Sequence, residues 1–443
     1  MAAGHLSRDA EGVESGQQAR YAALTTIAAV LDQRRPLDEA FDAQVQSIPL
    51  PSRDRAFAFN LASTVLRRLG QIDDAVDGRL ARPLPERRQL VKHLLRLGAA
   101  QLLFLNTPAY AAVHTTVTLA RSMRQNGHVP LINSLLRRLA TEGAEILSAQ
   151  DAARLNTPDW LWRDWTHAYG PAAARSIATA HLGEPPLDLT IKPDANVASL
   201  LARTDVGRLP TGTLRLPAFG AVAEIAGYDE GLWWVQDVAA SLPARLFKDV
   251  AGRRVFDLCA APGGKSAQLA AAGAHVIALD RSPKRLARLE ENLRRLGLPA
   301  ETVVADAATW QPEGLADCVL LDAPCSATGT IRRHPDVARL KSAEDVKKLA
   351  ALQTRLLKAA ANLVAPGGIL VYCACSLQVQ EGEGVVDSFL DMADGWTRAP
   401  IDAAEIGGCD QFLTSQGDMR TLPFYLADVG GMDGFFAARL MRR

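Results

Sequence analysis

The chain has 443 residues, of which 48% are hydrophobic and 22% charged, and its 49 Lys and Arg balance 49 Asp and Glu. Such a length predicts two or three domains with large cores, and such a composition is ordinary for a soluble globular protein. Zero net charge excludes a global field that draws the whole molecule to a polyanion.

The charge is nevertheless uneven, with 14 Lys or Arg against 5 Asp or Glu between residues 51 and 140. A local basic surface of this kind suits nucleic acid, and charge alone weighs that reading equally with a solvated helical face. Residues 1–20 are polar without an apolar h-region, so they read as a disordered tail and not as a secretory signal. Residues 21–150 carry a helical pattern throughout. Ala22 to Leu31 shows 3.6-residue apolar spacing, and Ser52 is placed as N-cap of a helix over Arg53 to Leu69. Helices follow over Gln71 to Leu80 and Arg87 to Leu105. Pro108 opens another over Ala109 to Gln125, and Pro130 begins Leu131 to Ala140. The most apolar part, Leu94 to Leu119, is interrupted by Arg96, Asn106, Pro108 and His114, so it reads as a buried helix pair and not as a membrane span. The whole is expected to be an all-α bundle.

Residues 151–235 read as a small α+β region: a helix from Pro158-Asp159-Trp160, then strand character at Leu187 to Ile191 and Thr213 to Leu216, punctuated by Pro185, Pro186, Pro210 and Pro217. Residues 236–443 alternate β and α. A helix is expected over Val238 to Phe247, strands near 254, 276, 302, 318 and 369, and a last, antiparallel strand over Gly434 to Leu440. That order predicts a Rossmann-like α/β domain with a mostly parallel sheet.

The strand Val255 to Leu258 breaks into the turn Cys259-Ala260-Ala261-Pro262-Gly263-Gly264-Lys265. Three further apolar strands each end on an acid: Asp280, Asp306 and Asp322. Acids at the carboxyl ends of successive parallel strands line the crevice where open α/β sheets bind ligands. The turn lacks the G-x-G-x-x-G of a nicotinamide site and the first glycine of a P-loop, whose position is Cys259. It suits a ligand that approaches the backbone closely without a pyrophosphate, and S-adenosylmethionine is such a ligand. The turn would hold its methionine end, Asp280 its ribose hydroxyls and Asp306 its adenine amino group. Any one of these acids alone would read as a helix cap or turn former.

All six cysteines lie at or after Cys259 and none form a CxxC. Reduced thiols and a cytoplasmic location are expected, with no metal. Cys259 and Cys318 sit on apolar strands as core. Zinc held by Cys325, Cys373 and Cys375 is the weaker reading without CxxC pairs. Cys325 follows the strand ending at Asp322, and Cys373 and Cys375 end the strand after Pro366-Gly367-Gly368. Thiols at strand ends that share a face with the cofactor turn point to nucleophilic chemistry. Methylation of a pyrimidine at C5 has a need for it. Thiolate addition to C6 makes C5 electron-rich, and loss of the C5 proton with β-elimination then frees the thiolate. An acid near N3, for which Asp322 is positioned, would stabilise the adduct.

Asp257 to Lys265, the segment Asp-Ala-Pro-Cys-Ser-Ala-Thr-Gly (322–329) with Ile331-Arg332-Arg333-His334-Pro335-Asp336, and Cys375-Ser376 together resemble the RNA cytosine-5 methyltransferases. Within them, nearly the whole chain is similar to the bacterial small-subunit ribosomal RNA methyltransferase B group. The helical region, with Arg53-Asp54-Arg55 and Leu131 to Arg137, resembles the NusB fold that these enzymes carry as an RNA-binding appendage. The resemblance implies that Cys375 is the nucleophile and that Cys325 assists product release. It implies a cytosine in 16S ribosomal RNA as substrate, with no obligate protein partner. Arg332, Arg333 and His334, with Lys265, are candidates for orienting the base and its phosphates, and Arg53, Arg55 and Arg137 for binding RNA. Ala374 stands where the family has Thr, and Cys373 adds a thiol on the same face as Cys375. Glu381-Gly382 replaces Glu-Asn, and Ile191-Lys192-Pro193 replaces Arg-Val-Asn. A tRNA cytosine-5 methyltransferase and a non-catalytic RNA-binding assembly factor with a relic cofactor fold are the alternatives.

Overall fold

The structure, a computed structural model, describes residues 17–193, 195–203, 205–217 and 222–443. They form two compact units: residues up to Leu182 together with Ile331–Leu340, and Gly183–Thr330 together with Lys341–Arg443. Residues 1–16 of the expected tail lie outside the described residues, and Gln18 to Arg20 form the first turn of a helix.

The first unit is all-helical, with α1 (Gln18–Gln33), α2 (Leu37–Ser47), α3 (Ser52–Arg67), α4 (Leu69–Asp77), α5 (Gln89–Leu103), α6 (Ala109–Ser122), α7 (Val129–Ala149), α8 (Ala152–Asn156) and α9 (Asp159–Ala180). Leu24, Ile27, Leu61, Ile72, Leu94, Leu97 and Leu136 fill one core. Gly98 lets α5 and α7 approach, since a Cβ there would stand 2.6 Å from a Leu136 methyl. Pro130 sits in the first turn of α7, where its missing N–H leaves no bond unmade. α9 breaks at Gly170-Pro171, where Gly170 has φ 81°. The helical unit runs to Leu182, well past residue 150. It also takes in Ile331–Leu340, which no local pattern foretells. Asp336 Oδ2 accepts from Leu37 N at 3.0 Å, Arg67 donates to Arg332 O at 2.5 Å, and Arg339 donates to Asn156 O at 2.9 Å.

The second unit holds two sheets. The smaller orders β2 (Gly207–Arg208), β3 (Leu214–Leu216), β1 (Leu187–Ile191) and β4 (Trp233–Val235), all antiparallel, with the short helix α10 (Ala198–Leu201) beside them in sequence. The larger comprises β5 (Arg254–Leu258), β6 (His275–Asp280), β7 (Glu301–Val304), β8 (Ala316–Asp322), β9 (Val364–Ala374), β10 (Trp396–Arg398), β11 (Met419–Thr421) and β12 (Phe435–Arg442). Its order is β10-β12-β9-β8-β5-β6-β7, with β11 also on β12. Strands β5 to β9 pair in parallel, and β12 lies antiparallel to β9. The remaining helices are α11 (Gly264–Ala271), α12 (Pro283–Leu296), α13 (Val337–Leu340, in the helical unit), α14 (Ala343–Ala361) and α15 (Glu383–Leu390).

Strand alternation distributes the core to both faces of the sheet. Val255, Leu320, Val371 and Cys373 pack with Leu269 of α11 and Leu286 and Leu289 of α12. Phe256, Leu321, Leu370 and Tyr372 pack with Leu356 of α14 and Phe389 of α15. The helices start where their sequences cap them. Ser282 caps α12 before Pro283, and Ser342 with Asp345 forms a capping box on α14. The helix expected over Val238 to Phe247 is instead a turn followed by a 3-10 segment, Pro243–Phe247. Asp237 bonds the backbone of Ala239 at 2.8 Å, and Pro243 has no N–H to continue an α-helix. Among the described residues no helix is long and apolar enough to cross a membrane.

A buried ion pair ties the small sheet to the large one. Arg215 donates to Asp188 at 2.7 and 2.8 Å, and to the carbonyls of Val429 and Gly431. Asp188 also accepts from Val238 N at 3.0 Å. Removing one partner leaves the other as a buried uncompensated charge. Asp188→Ala is therefore expected to lower stability by about 3–5 kcal/mol, read as a fall in the chemical-denaturation midpoint.

Candidate active site

The chain fills β5, β6 and β7 outward in one direction, then returns to lay β8 on the other side of β5. The crevice beyond the carboxyl ends of β5 and β8 is thus the topological switch point. The turn after β5 enters it with Cys259 at φ 61° and Gly263 at φ 102°. A Cβ on Gly263 would stand 2.7 Å from Leu289, so this glycine serves both the left-handed backbone and the packing on α12. Cys259 lies one residue past its strand, not on it. Burial beside Asp322, Asp280 and Asp257 pushes its thiol up to about 12, which leaves it inert.

Four carboxylates belong to four adjacent parallel strands. Asp257, on β5, is fully buried. Ser266 Oγ donates to its Oδ2 at 2.5 Å, while its Oδ1 has no partner among the described residues. Burial raises this carboxyl to about 7. Asp280, ending β6, accepts from Ala261 N at 3.3 Å and Ser282 N at 2.9 Å, and faces Arg285 at 3.4 Å. Asp306, two residues past β7, is exposed and accepts from Ala308 N at 2.9 Å. Asp322, ending β8, takes Lys265 Nζ at 2.7 Å. Burial alone would depress the Lys265 ammonium, but Asp322 chiefly, with Cys373 and Asp257, carries it above its ordinary value. Lys265 also lies 4.9 Å over the Phe435 ring.

The thiols meet at the next pair of strand ends. Cys325 Sγ and Cys375 Sγ are 3.4 Å apart. Cys325 is pushed well above its ordinary value, first by its hydrogen bond with Cys375, then by burial and by the charges of Cys375 and Glu381. Cys373 is buried with Sγ 3.5 Å from Asp322 Oδ1. Burial first, and Asp322 second, push it well up. Cys318 is buried on β8, and Cys409 lies apart in its loop, 3.6 Å from Gly407 O.

Sequence reasoning overlooked the polar hub behind this pair. Glu381, at 0% exposure, accepts from Ser326 N, Ser326 Oγ, Ser376 Oγ and Gln353 Nε2. Thr328 joins Ser326, Ser376 and Gln378 in the same network. The available signal was a serine directly after each of the two cysteines.

The candidate RNA contacts belong to the helical unit. Arg332 is buried at 2% exposure, which does not suit the expected role of orienting a phosphate, and its carbonyl serves Arg67. Arg333 and His334 are half-buried, with His334 3.5 Å from Asp38. Arg53, Arg55 and Arg137 are exposed. Arg55 lies 3.6 Å from Asp42, and Arg137 bonds Asn133 at 3.2 Å.

The strand-end residues fit S-adenosylmethionine. Four carboxylates stand at or just beyond these strand ends, Lys265 pairs with Asp322, and Asp257 keeps an oxygen without a protein donor among the described residues. Such a set suits a ligand whose reacting sulfur is cationic and whose ribose and amine groups donate. Among the described residues no group of three or more His, Cys, Asp and Glu is arranged to hold a metal ion.

The raised Asp257 has a consequence for stability. Between its ordinary 3.8 and about 7, the unfolded chain has released a proton that the folded chain keeps. The stability this group contributes is full below about pH 3.8 and is lost as pH rises to about 7. Asp257→Asn is expected to flatten that stretch, measured as denaturation midpoints of both proteins at pH 5 and at pH 7.5.

Residues 244–441 match the family model described as 16S rRNA methyltransferase RsmB/F, and residues 17–141 match that of the NusB family. The chain is 36% identical over 406 residues to the ribosomal RNA small subunit methyltransferase B of Sodalis glossinidius, spanning 88% of this chain and 93% of that one. It is 33% identical over 428 residues to the probable ribosomal RNA small subunit methyltransferase B of a Synechocystis species, spanning 91% and 95%. Among solved structures, the protein PH0851 superimposes with TM-score 0.75 at 21% identity, over 97% of this chain and 99% of that one. NSun6 of Pyrococcus horikoshii, solved with SFG, gives 0.56 at 19% identity, over 64% and 98%. These two structures speak for the fold, whereas the curated relatives carry the family. The chain belongs to the 16S rRNA methyltransferase RsmB/F family, S-adenosylmethionine-dependent RNA methyltransferases, with a NusB-family helical domain.

Proposed function

We propose that this chain transfers a methyl group from S-adenosylmethionine to C5 of a cytosine in 16S ribosomal RNA, through a covalent adduct between Cys375 and C6 of the base. The observation that carries this reading is the 3.4 Å contact of Cys325 and Cys375 at the ends of adjacent parallel strands. The hydrogen bond with Cys375, then burial, raises the Cys325 thiol well above its ordinary value, so Cys325 is read as the proton-bearing neighbour and Cys375 as the nucleophile. Cys373, bound to Asp322 and fully buried, is a poor rival for that role.

In the proposed chemistry Cys375 Sγ forms a bond to C6, and the electron pair of the C5–C6 double bond moves toward C5 and the N3 side of the ring. After methylation a base takes the C5 proton, its electron pair re-forms the C5–C6 double bond, and the S–C6 bond breaks with its pair leaving on Cys375 Sγ. Cys325 donates to the leaving sulfur and lowers the cost of releasing it as thiolate. Asp322, whose Oδ2 takes Lys265 Nζ at 2.7 Å, is the group proposed to contact the base near N3 and stabilise the adduct. A carboxylate there can receive the amino group of cytosine. S-adenosylmethionine supplies an electrophilic methyl group. Cys259 to Lys265, Asp280 and Asp306 are the residues proposed to hold it.

The target base has to leave its stack to reach two half-buried thiols, which favours a loop or an unfolded rRNA segment. Exposed Arg53, Arg55 and Arg137 in the NusB-family domain supply backbone contacts that position RNA without reading its sequence. A cytoplasmic location accords with six unpaired cysteines. The curated relatives' names favour rRNA over the tRNA alternative.

Tritiated methyl transfer to unmethylated small-subunit rRNA, with tRNA as the comparison, tests the substrate. Cys375→Ser is expected to abolish transfer, and Cys325→Ala to accumulate an RNA adduct that survives denaturing gels. An adduct persisting in Cys375→Ser would give the nucleophile's role to another thiol. Absence of S-adenosylmethionine binding by calorimetry would favour the non-catalytic assembly factor.

A further inference from the structure

Glu381 is an unusual device. Its side chain has 0% exposure, yet no ion pair to it occurs among the described residues. Four neutral donors satisfy it instead. Oε1 accepts from Ser326 N at 2.8 Å and Gln353 Nε2 at 3.1 Å, and Oε2 accepts from Ser376 Oγ at 2.6 Å and from Ser326 Oγ. Burying a charge without a counter-charge is costly. A glutamine would fill the same volume and accept at one oxygen at lower cost, so hydrogen bonding alone does not account for the carboxylate.

The donors explain what the carboxylate does. Ser326 follows Cys325, and Ser376 follows Cys375. Gln353 also holds Pro324 O at 2.9 Å, on the other side of Cys325. One side chain therefore grips both sides of one thiol's turn and the residue after the other thiol. Its own backbone is anchored, because Tyr372 donates its hydroxyl to Glu381 O at 2.5 Å. On the far side, Arg420 donates to Ser376 O at 2.6 Å and pairs with Glu383.

We propose that Glu381 is a positioning residue for the thiol pair: its carboxylate ties the Pro324–Ser326 turn to the Cys375–Ser376 strand end and sets the separation of the two sulfurs. The titratable and charged groups facing this arrangement are Cys325, Cys375, Tyr372 and, through Ser376, the Arg420–Glu383 pair. Glu381 is among the groups that push the Cys325 thiol upward, after Cys375 and burial. The inference rests on Cys375 and Cys325 being the reacting thiols.

The test uses the full chain with Glu381→Gln, which keeps shape and removes charge. Alkylation by iodoacetamide is followed at Cys325 and Cys375 separately by mass spectrometry from pH 7 to 10. This arm needs neither RNA nor methyl donor. The expected result is a lower alkylation midpoint for Cys325, with its rate at pH 8 raised about threefold to tenfold. Turnover on small-subunit rRNA is expected to fall about 100-fold, with KM for S-adenosylmethionine changed less than about threefold. Unchanged midpoints and turnover overturn the proposal. So does equal acceleration of both thiols at every pH, which marks simple loosening. Should Glu381→Gln fail to fold, Ser326→Ala and Ser376→Ala each remove one grip and are expected to shift Cys325 in the same direction, and no shift in either overturns it. If the native chain methylates no small-subunit rRNA, the reading of function fails while the alkylation arm still decides the role of Glu381.

Discussion

The site depends on the parallel pairing of β8 with β9. Asp322 lies opposite Cys373, and the pairing continues past the regular strands: Ala323 N bonds Cys373 O at 2.9 Å and Gly329 N bonds Cys375 O at 3.1 Å. Two cysteines 50 residues apart in sequence thereby come within hydrogen-bonding distance. The loop between them is pressed against the end of the chain. Gly329 and Gly434 touch so closely that a Cβ on Gly329 would stand 1.9 Å from Gly434 O, and Gly434 N bonds Gly329 O at 2.8 Å. The last strand, antiparallel on β9, thus buttresses the thiol turn as well as closing the sheet.

Electrostatics then divides labour along the strand ends. The β5, β6 and β7 side is acidic, with Asp257, Asp280 and Asp306, and Lys265 crosses from the glycine turn to Asp322. That salt bridge is nearly buried on the lysine side and marks the border between the acidic strand ends and the thiols. Burial first, with Asp322 second, raises the Cys373 and Cys259 thiols, whereas Cys325 is raised first by its hydrogen bond with Cys375. Cys375, half-buried at a strand end, is the thiol that touches Cys325, at 3.4 Å.

Much of this was legible in the residues. The helical region, the strand positions near 254, 276, 302, 318 and 369, and the antiparallel last strand follow from periodicity and turn chemistry, both local properties. The exceptions have physical causes. Val238 to Phe247 has helical spacing, but Asp237 and Pro243 interrupt the backbone ladder. Arg332 to Arg339 carry charges that look solvent-bound, yet they are knit to the helical unit through Leu37, Arg67 and Asn156. No local pattern announces which distant partner a segment will choose.

The sequence by itself determined the chemistry on offer: a glycine turn, acids at strand ends, and cysteines followed by serines. Residue type and spacing suffice for that, because strand ends and turns are specified by near neighbours. Only the tertiary structure decided which thiols touch, which carboxylate pairs with Lys265, and that Glu381 holds both cysteine turns. Those contacts arise from strand order and burial, and burial decides protonation. A thiol or carboxylate has its ordinary affinity for a proton until the fold removes water from it and sets a charge beside it.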